Sequence, residues 1–279
     1  MEGAPFKIPM LSFLIKLFSK KVCGGVGGEA SDGFHAKEAK MQQIKARGIV
    51  LQEYDTGESD KRLVLLCKGH GRILAYARGA RKPTSKFMAG AQLFTYADFV
   101  LTRGAGFHSL AQADVIENFF ALRQDYDSFM AACHVSEICQ KTLWDEINCD
   151  ELLMLVLKTM QNLAKGKIPA AQAAAVFLFR FFGFQGLQPQ MDACTICGTP
   201  AGEIERPRLV QDGLTCHHHP HNIHRQISPA AMEAISYIQK NDLPQSFSFS
   251  VQESALKELR QIAKFLWDCH FDIGLKTEL

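Results

Sequence analysis

The period of the hydrophobic pattern changes near residue 120, and this change constrains the fold more than any other feature of the chain. Between residues 41 and 120, short runs rich in β-branched and aromatic residues are separated by glycine-containing turns. From Asp125 onward, apolar residues recur close to the 3.6-residue period of a helix. Strands followed by helices, without alternation between them, predict an α+β chain with its β-structure first.

Five runs before residue 120 are predicted to be strands. They fall within about 75 residues with no long helix between them, which favours a small barrel or a strongly bent sheet. An OB-fold barrel has five strands and often binds single-stranded nucleic acid. We therefore expect a five-stranded OB-fold β-barrel with strands at 44–54, 61–68, 71–80, 93–102 and 107–117, and a tight hairpin turn at Gly69-His70-Gly71.

The remainder of the chain is predicted to be an all-α domain with one inserted metal-binding loop. The segment 168–186 is apolar nearly all round, so it is expected to be the central buried helix. The loop at 192–224 interrupts the helical pattern and holds a group of cysteines and histidines. Helices are expected at 125–146, 149–166, 168–186, 228–242 and 251–271.

The first forty residues differ in composition from the rest of the chain. A short basic and apolar stretch leads into a glycine-rich run, which is typical of a flexible linker. A flexible N-terminal extension, with the folded protein beginning at Met41, is the favoured interpretation, and an interfacial or partner-binding helix is the alternative. The predicted domains are therefore 1–40, 41–120 and 121–279.

Charge is distributed unevenly along the chain. Residues 41–110 hold eleven Lys and Arg against five Asp and Glu, whereas residues 111–279 hold fourteen against twenty. The stretch 61–86 carries eight basic residues and no acidic one. A basic module followed by an acidic one predicts a polyanionic partner, in the first instance nucleic acid, for the first module.

Specific residues of the basic stretch are candidates for nucleic-acid contacts. Side chains repeat every second residue on a strand, so Arg72, Leu74, Tyr76 and Arg78 are expected on one face, with an aromatic ring between two cations. The alternative is that Leu74 and Tyr76 face the barrel core and the cations form a solvated rim. The predicted nucleic-acid-binding residues are Lys61, Arg62, Arg72, Tyr76, Arg78, Arg81, Lys82, Lys86 and Arg103.

The cysteine and histidine spacing predicts a structural zinc site. Cys194 and Cys197 form a C-x-x-C pair, and Cys216 with His219 repeats the spacing after eighteen intervening residues. Two such knuckles normally complete a tetrahedral shell and leave no open catalytic position. His217 and His218 are close enough to replace His219 as the fourth ligand.

Other sequence features argue against an enzyme and against a membrane protein. The chain has no Walker-type phosphate loop, no dinucleotide-binding glycine motif and no nucleophile elbow. Its nine cysteines are too few for a disulfide scaffold of this length, and no run approaches the roughly 18 apolar residues that span a bilayer. A cytoplasmic location with reduced thiols is expected.

The order of these parts resembles one family. The passages "GIVLQEYDTGESDKRLVLL", "GHGRILAYARGARKPTSKFMAG" and "FRFFGFQGLQPQMDACTICG" are similar to the RecO family of bacterial DNA repair proteins, from about Ile44 to the end of the chain. The zinc loop of that family often has four cysteines. This chain has histidine where the fourth would stand, which leaves the fourth ligand open.

The resemblance implies a function. Members of the family are recombination mediators without enzymatic activity, found in the bacterial cytoplasm with the nucleoid. They bind single- and double-stranded DNA and anneal complementary strands. With RecR, they help to load RecA onto strands covered by single-strand-binding protein. Zinc is expected to be structural.

Two other classes of function are compatible with parts of the sequence. A zinc-ribbon regulatory module would read one duplex sequence in preference to random DNA. A zinc-dependent nucleic-acid-processing enzyme would need an open metal position and a nearby acid.

Overall fold

Five strands with alternating inward and outward side chains form the first part of the fold. The computed structural model describes residues 42–104, 107–143, 147, 149–219 and 222–277, so the predictions for 1–40 lie outside the described residues. The strands are β1 (Gln43–Thr56), β2 (Asp60–Cys67), β3 (Gly71–Ala77), β4 (Tyr96–Arg103) and β5 (His108–Glu117).

The five strands close into a barrel in the order β1-β2-β3-β5-β4. All pairs are antiparallel except β3 with β5, and pairing of β1 with β4 completes the ring. Aliphatic and aromatic side chains fill the interior, among them Val50, Leu65, Ala75 and Phe99. The prediction of a five-stranded OB-like barrel is confirmed.

The β2–β3 hairpin turn depends on two glycines. Gly69 and Gly71 have φ angles of 72° and 66°, in the left-handed region that favours glycine. A Cβ atom on Gly71 would lie 1.8 Å from the carbonyl oxygen of Ile147, so the hairpin also approaches the helical part closely. The backbone N–H of Gly69 donates to Oδ1 of Asp150 at 2.6 Å.

Five helices follow the barrel among the described residues. They are α1 (Tyr126–Thr142), α2 (Asp150–Lys165), α3 (Ala170–Phe184), α4 (Pro229–Lys240) and α5 (Glu253–His270). Helix α3 buries Phe177, Phe179, Phe181 and Phe182 completely, which confirms that it is the central helix. None of the helices in the described segments is both long and apolar enough to cross a membrane.

The barrel packs directly against the helices. Ile49 and Leu51 of β1 and Val64 and Leu66 of β2 are buried in the same apolar cluster as the side chains of α1 to α5. Their packing fixes which part of the outer barrel surface is covered. Arg62 of β2 is exposed and Tyr76 of β3 is half-buried, and neither belongs to this apolar cluster.

The segment that connects α3 to α4 along the chain contains a small three-stranded sheet. Its strands are β6 (Arg208–Val210), β7 (Gly213–Thr215) and β8 (Arg225–Gln226), in the order β7-β6-β8. The predicted metal loop is built on this sheet.

Candidate nucleic-acid interface and metal centre

Strand register places one cation between two aromatic rings on the outer barrel surface, and a third ring contacts one of them. Arg62 of β2 is opposite Tyr54 of β1 and opposite Tyr76 of β3. The guanidinium carbon of Arg62 lies 4.8 Å from the centroid of the Tyr54 ring. The Tyr76 ring meets Phe107 edge-on, with centroids 5.2 Å apart. We call Tyr54, Arg62, Tyr76 and Phe107 the aromatic row.

The alternation of β3 decides between the two interpretations of the basic stretch. Ile73, Ala75 and Ala77 are buried in the barrel interior, so the intervening side chains point outward. Leu74 is 40% exposed and Tyr76 is half-buried. The expected shared face is therefore present, and the alternative that Leu74 and Tyr76 fill the core is wrong.

Three predicted cations lie beside the aromatic row, at the end of β3 and in the following loop. Arg78, Arg81 and Lys82 are exposed. The backbone N–H of Gly79 donates to Oδ1 of Asp60 at 2.7 Å, which ties this loop to the β1–β2 hairpin. Arg81 Nε lies 3.4 Å from Oδ2 of Asp55, so its charge is partly compensated.

Two predicted cations have structural partners. Lys61 lies at the end of β2, on the side of the strand that faces the barrel interior, and forms an ion pair with Glu53. Arg72 donates from a terminal guanidinium nitrogen to the carbonyl oxygen of Gln140 at 2.8 Å, at the contact between barrel and helices. Neither side chain lies with the aromatic row, and DNA contact by either residue stays a prediction.

The last two predicted cations lie near β5. Lys86 Nζ donates to the carbonyl oxygen of Ala111 at 3.0 Å and sits 4.9 Å from the Phe87 ring centroid. Arg103 is exposed at the end of β4, opposite His108. It stands close in sequence to Phe107, whose carbonyl oxygen accepts from the backbone N–H of Gly104 at 2.8 Å.

Sequence reasoning missed Tyr54 and Phe107. Both rings are more than a third exposed, at 38% and 39%. The sequence does contain a signal for Tyr54. In the hairpin that joins β1 and β2, the residues on either side of the turn pair in order, and this pairing places Tyr54 opposite Arg62. Phe107 had no comparable signal, since the β3–β5 pairing joins distant parts of the chain.

The four predicted metal ligands come together. One ligand atom each from Cys194, Cys197, Cys216 and His219 lies within 4.8 Å of all the others. The sulfurs of Cys197 and Cys216 are 3.7 Å apart. Three thiols and one imidazole are a donor set that binds zinc in tetrahedral geometry, so this cluster could hold a metal ion.

Local backbone geometry selects His219 over its neighbours. The backbone N–H of His219 donates to the carbonyl oxygen of Cys216 at 3.2 Å, closing a turn beside the last cysteine of the cluster. The rings of His217 and His218 instead contact each other, with centroids 3.7 Å apart and planes tilted by 41°. Of the three histidines left open by the sequence, His219 joins the cluster.

Hydrogen bonds to Cys197 favour its thiolate, whereas burial raises the pKa of Cys216 to about 11. A hydrogen bond from Thr199 and then one from His219 lower the pKa of Cys197 to about 5. The Thr199 hydroxyl lies 3.1 Å from the Cys197 sulfur. A metal ligand must be deprotonated, so these contacts prepare Cys197 for coordination.

Comparison with known proteins decides the family. Residues 41–119 match the family model "Recombination protein O N terminal", and residues 123–278 match "Recombination protein O C terminal". The chain belongs to the RecO family. RecO proteins are DNA repair proteins. The N-terminal family model matches the barrel of this chain, and the C-terminal model matches its helical part.

Individual RecO relatives agree along most of the chain. The DNA repair protein RecO of Acetivibrio thermocellus is 32% identical over 226 residues, covering 80% of this chain and 90% of the relative. The DNA repair protein RecO of Exiguobacterium sibiricum is 30% identical over 239 residues, covering 84% of this chain and 94% of the relative. Bacillus subtilis RecO is 27% identical over 238 residues, covering 84% and 92%.

Proposed function

We propose that this chain binds single- and double-stranded DNA through the outer barrel surface and anneals complementary strands. The observation that carries the proposal is the aromatic row with Arg78, Arg81 and Lys82 beside it. Cations bind phosphates of any sequence, and aromatic rings bind bases of any sequence. This combination suits a protein that must act on whatever sequence is damaged.

Annealing by this surface needs no bond chemistry, and we propose that the chain is not an enzyme. Two DNA strands repel each other through their phosphates. Arg78, Arg81 and Lys82 lower this repulsion when both strands lie on the same surface, so the bases can meet and pair. Because phosphate contacts release counterions, annealing should weaken as salt rises.

Residues 111–279, which include the whole helical part, hold twenty Asp and Glu against fourteen Lys and Arg, and we propose that the helical part contacts proteins rather than DNA. The proposed partners are RecR, RecA and single-strand-binding protein, with the chain helping to load RecA onto covered strands. We also propose that the chain acts on nucleoid DNA in the bacterial cytoplasm.

The metal is proposed to be structural zinc. Cys194, Cys197, Cys216 and His219 would hold it, and four protein ligands leave no position for a reacting water. Zinc would lock the loop onto the small sheet β7-β6-β8. The DNA surface lies on the barrel, so chelation should change stability and leave DNA affinity unchanged.

The test compares annealing by the wild type and by two triple variants. Complementary strands are covered with single-strand-binding protein and mixed without nucleotide. Arg78→Ala with Arg81→Ala and Lys82→Ala should abolish acceleration. The matched control removes three exposed cations from the helical part, by Lys165→Ala, Lys167→Ala and Lys257→Ala.

The control should anneal as the wild type does. Equal losses in both triple variants would show that total charge matters rather than this surface. DNA binding by the wild type without any annealing would favour a zinc-ribbon duplex-binding module. Strand cleavage that disappears with Cys194→Ser in a folded protein would favour an enzyme.

A further inference from the structure

We propose that the aromatic row makes the surface selective for unpaired bases, while Arg78 and Lys82 bind single strands and duplexes alike. This inference deepens the proposed function and rests on it. It assigns a role in strand selection to Tyr54 and Phe107.

Geometry makes the row continuous across the barrel. Tyr54, Arg62 and Tyr76 stand opposite one another on three adjacent strands, which are about 4.8 Å apart. Phe107 extends the row past β3, with its ring 5.2 Å from that of Tyr76. Three side chains thus form one line perpendicular to the strands, and Phe107 continues it by its ring contact, two positions before Ser109, the β5 residue opposite Tyr76.

Exposure of the rings points to a ligand with flat apolar faces. More than a third of Tyr54 and of Phe107 remains in water, and Leu74 adds an exposed apolar side chain on the same face of β3. Clustered apolar rings bordered by cations are typical of surfaces that bind a partner. Stacking on an aromatic ring suits any base because every base has a π-face.

Access to that π-face separates the two forms of DNA. In a duplex, each base is already stacked between its neighbours, and stacking it on a protein ring would require flipping it out. In a single strand, the bases can splay onto aromatic side chains at little cost. The three rings of the aromatic row should therefore contribute to single-strand affinity and add nothing to duplex affinity.

The neighbouring cations behave differently because phosphates are present in both forms. Arg78 and Lys82 are exposed, and the structure gives neither of them a salt bridge with any described residue. Each phosphate contact contributes about 0.7 to the salt slope for single strands and about 0.9 for duplexes. Loss of these cations should weaken both complexes and reduce both slopes.

The two roles have a consequence for annealing. When bases pair, they leave the rings, and only the phosphate contacts remain with the duplex. The surface thus holds the substrate strands more firmly than the product. A surface of this kind releases the annealed duplex without an energy source.

The test is equilibrium binding of the full chain to a labelled oligothymidylate and to a random-sequence duplex of equal length, by fluorescence anisotropy across a salt series. The ring-deficient variant carries Tyr54→Leu, Tyr76→Leu and Phe107→Leu, which keep apolar bulk. Stacking is worth about 1–3 kcal/mol per base, so oligothymidylate affinity should fall at least tenfold, at an unchanged salt slope. Duplex affinity should equal that of the wild type.

Two controls make the result specific. Tyr54→Phe with Tyr76→Phe keeps the rings and should bind as the wild type does. Tyr126→Leu removes a ring that is 75% exposed on the helical part and should also have no effect. Circular dichroism and thermal unfolding show that each variant folds.

The outcomes distinguish this inference from the proposed function. Failure of the wild type to bind either DNA would overturn the proposed function. Binding by the wild type with an equal loss on both DNAs in the ring-deficient variant would overturn the inference alone. The same holds if that variant keeps its single-strand affinity, or if the phenylalanine variant loses as much.

Discussion

Gly213 holds β7 against a neighbouring segment, and replacing it with alanine should weaken both the fold and the metal site. Its φ angle is +142°, a backbone conformation that residues other than glycine rarely adopt. An added Cβ would lie 2.3 Å from the carbonyl oxygen and 2.6 Å from the nitrogen of Gln190. Both are backbone atoms, so the two segments must separate.

The cost is set by the contacts that the separation breaks. Gln190 N donates to the carbonyl oxygen of Asp212, and Leu214 N donates to that of Gln190, each at 2.9 Å. Loss of these two bonds costs about 1–3 kcal/mol, and the unfavourable backbone conformation costs about 1–3 kcal/mol more. For a domain of this size, the melting temperature should fall by at least about 5 °C.

The metal site should weaken with the sheet. The backbone N–H of Thr195 donates to the carbonyl oxygen of Leu214 at 2.8 Å, which ties the first knuckle to β7. Cys216 directly follows β7. Movement of β7 therefore separates Cys216 from Cys194, and the proposed zinc ion should pass more readily to a chromophoric chelator.

Two glycines serve as controls for the Gly213→Ala measurement. Gly186 has a φ angle of +71° but no atom within 4 Å of an added Cβ, so Gly186→Ala should cost only about 1–2 kcal/mol of strain. Gly202 has neither problem, and Gly202→Ala should leave stability nearly unchanged. The reasoning is refuted if Gly213→Ala unfolds at the same temperature as Gly202→Ala and retains zinc equally well.

Three further predictions concern pH, charge and metal. Burial lowers the pKa of His134 from 6.5 to about 4, and its Nδ1 lies within hydrogen-bonding distance of the Thr277 carbonyl and hydroxyl oxygens. Because the unfolded chain binds this proton more readily, the free energy of unfolding should be highest above pH 6.5 and decline as pH falls towards 4. His134→Asn keeps a donor without titrating and should flatten this decline in thermal melts, and an unchanged decline would contradict the assignment. Asp55→Asn removes the partner of Arg81 and should tighten DNA binding roughly two- to fivefold in anisotropy titrations, whereas weaker binding would argue that the pair positions the loop. Chelation of zinc should lower the melting temperature without changing DNA affinity, and a parallel loss of affinity would place the metal in the DNA site.

Much of the fold can be predicted from local patterns in the sequence. Period-two runs separated by glycine predict β1 to β5, and the all-round apolar segment predicts the buried helix α3. These signals are local, because each strand or helix must match its own burial pattern. The closure of the barrel through β3 and β5 involves residues far apart in sequence, and no local pattern predicts its two-residue parallel register.

The candidate sites were less predictable than the fold because they depend on side-chain partners. Lys61 and Arg62 are adjacent and both cationic, yet strand parity turns Lys61 towards Glu53 and Arg62 towards the Tyr54 ring. Arg72 shares a face with Tyr76 but reaches the end of α1, a contact that exists only after the helices pack. At the metal centre, spacing favours His219 but leaves His217 and His218 open, and the turn from Cys216 to His219 exists only in the folded loop.

The central claim is that the outer barrel surface anneals DNA by screening phosphates. The most direct measurement is the annealing rate of two complementary strands covered with single-strand-binding protein, without nucleotide, across a salt series. The account predicts fast annealing that falls steadily with rising salt and is lost when Arg78, Arg81 and Lys82 become alanine. An annealing rate that is independent of salt, or one that survives the loss of these three cations, would contradict it.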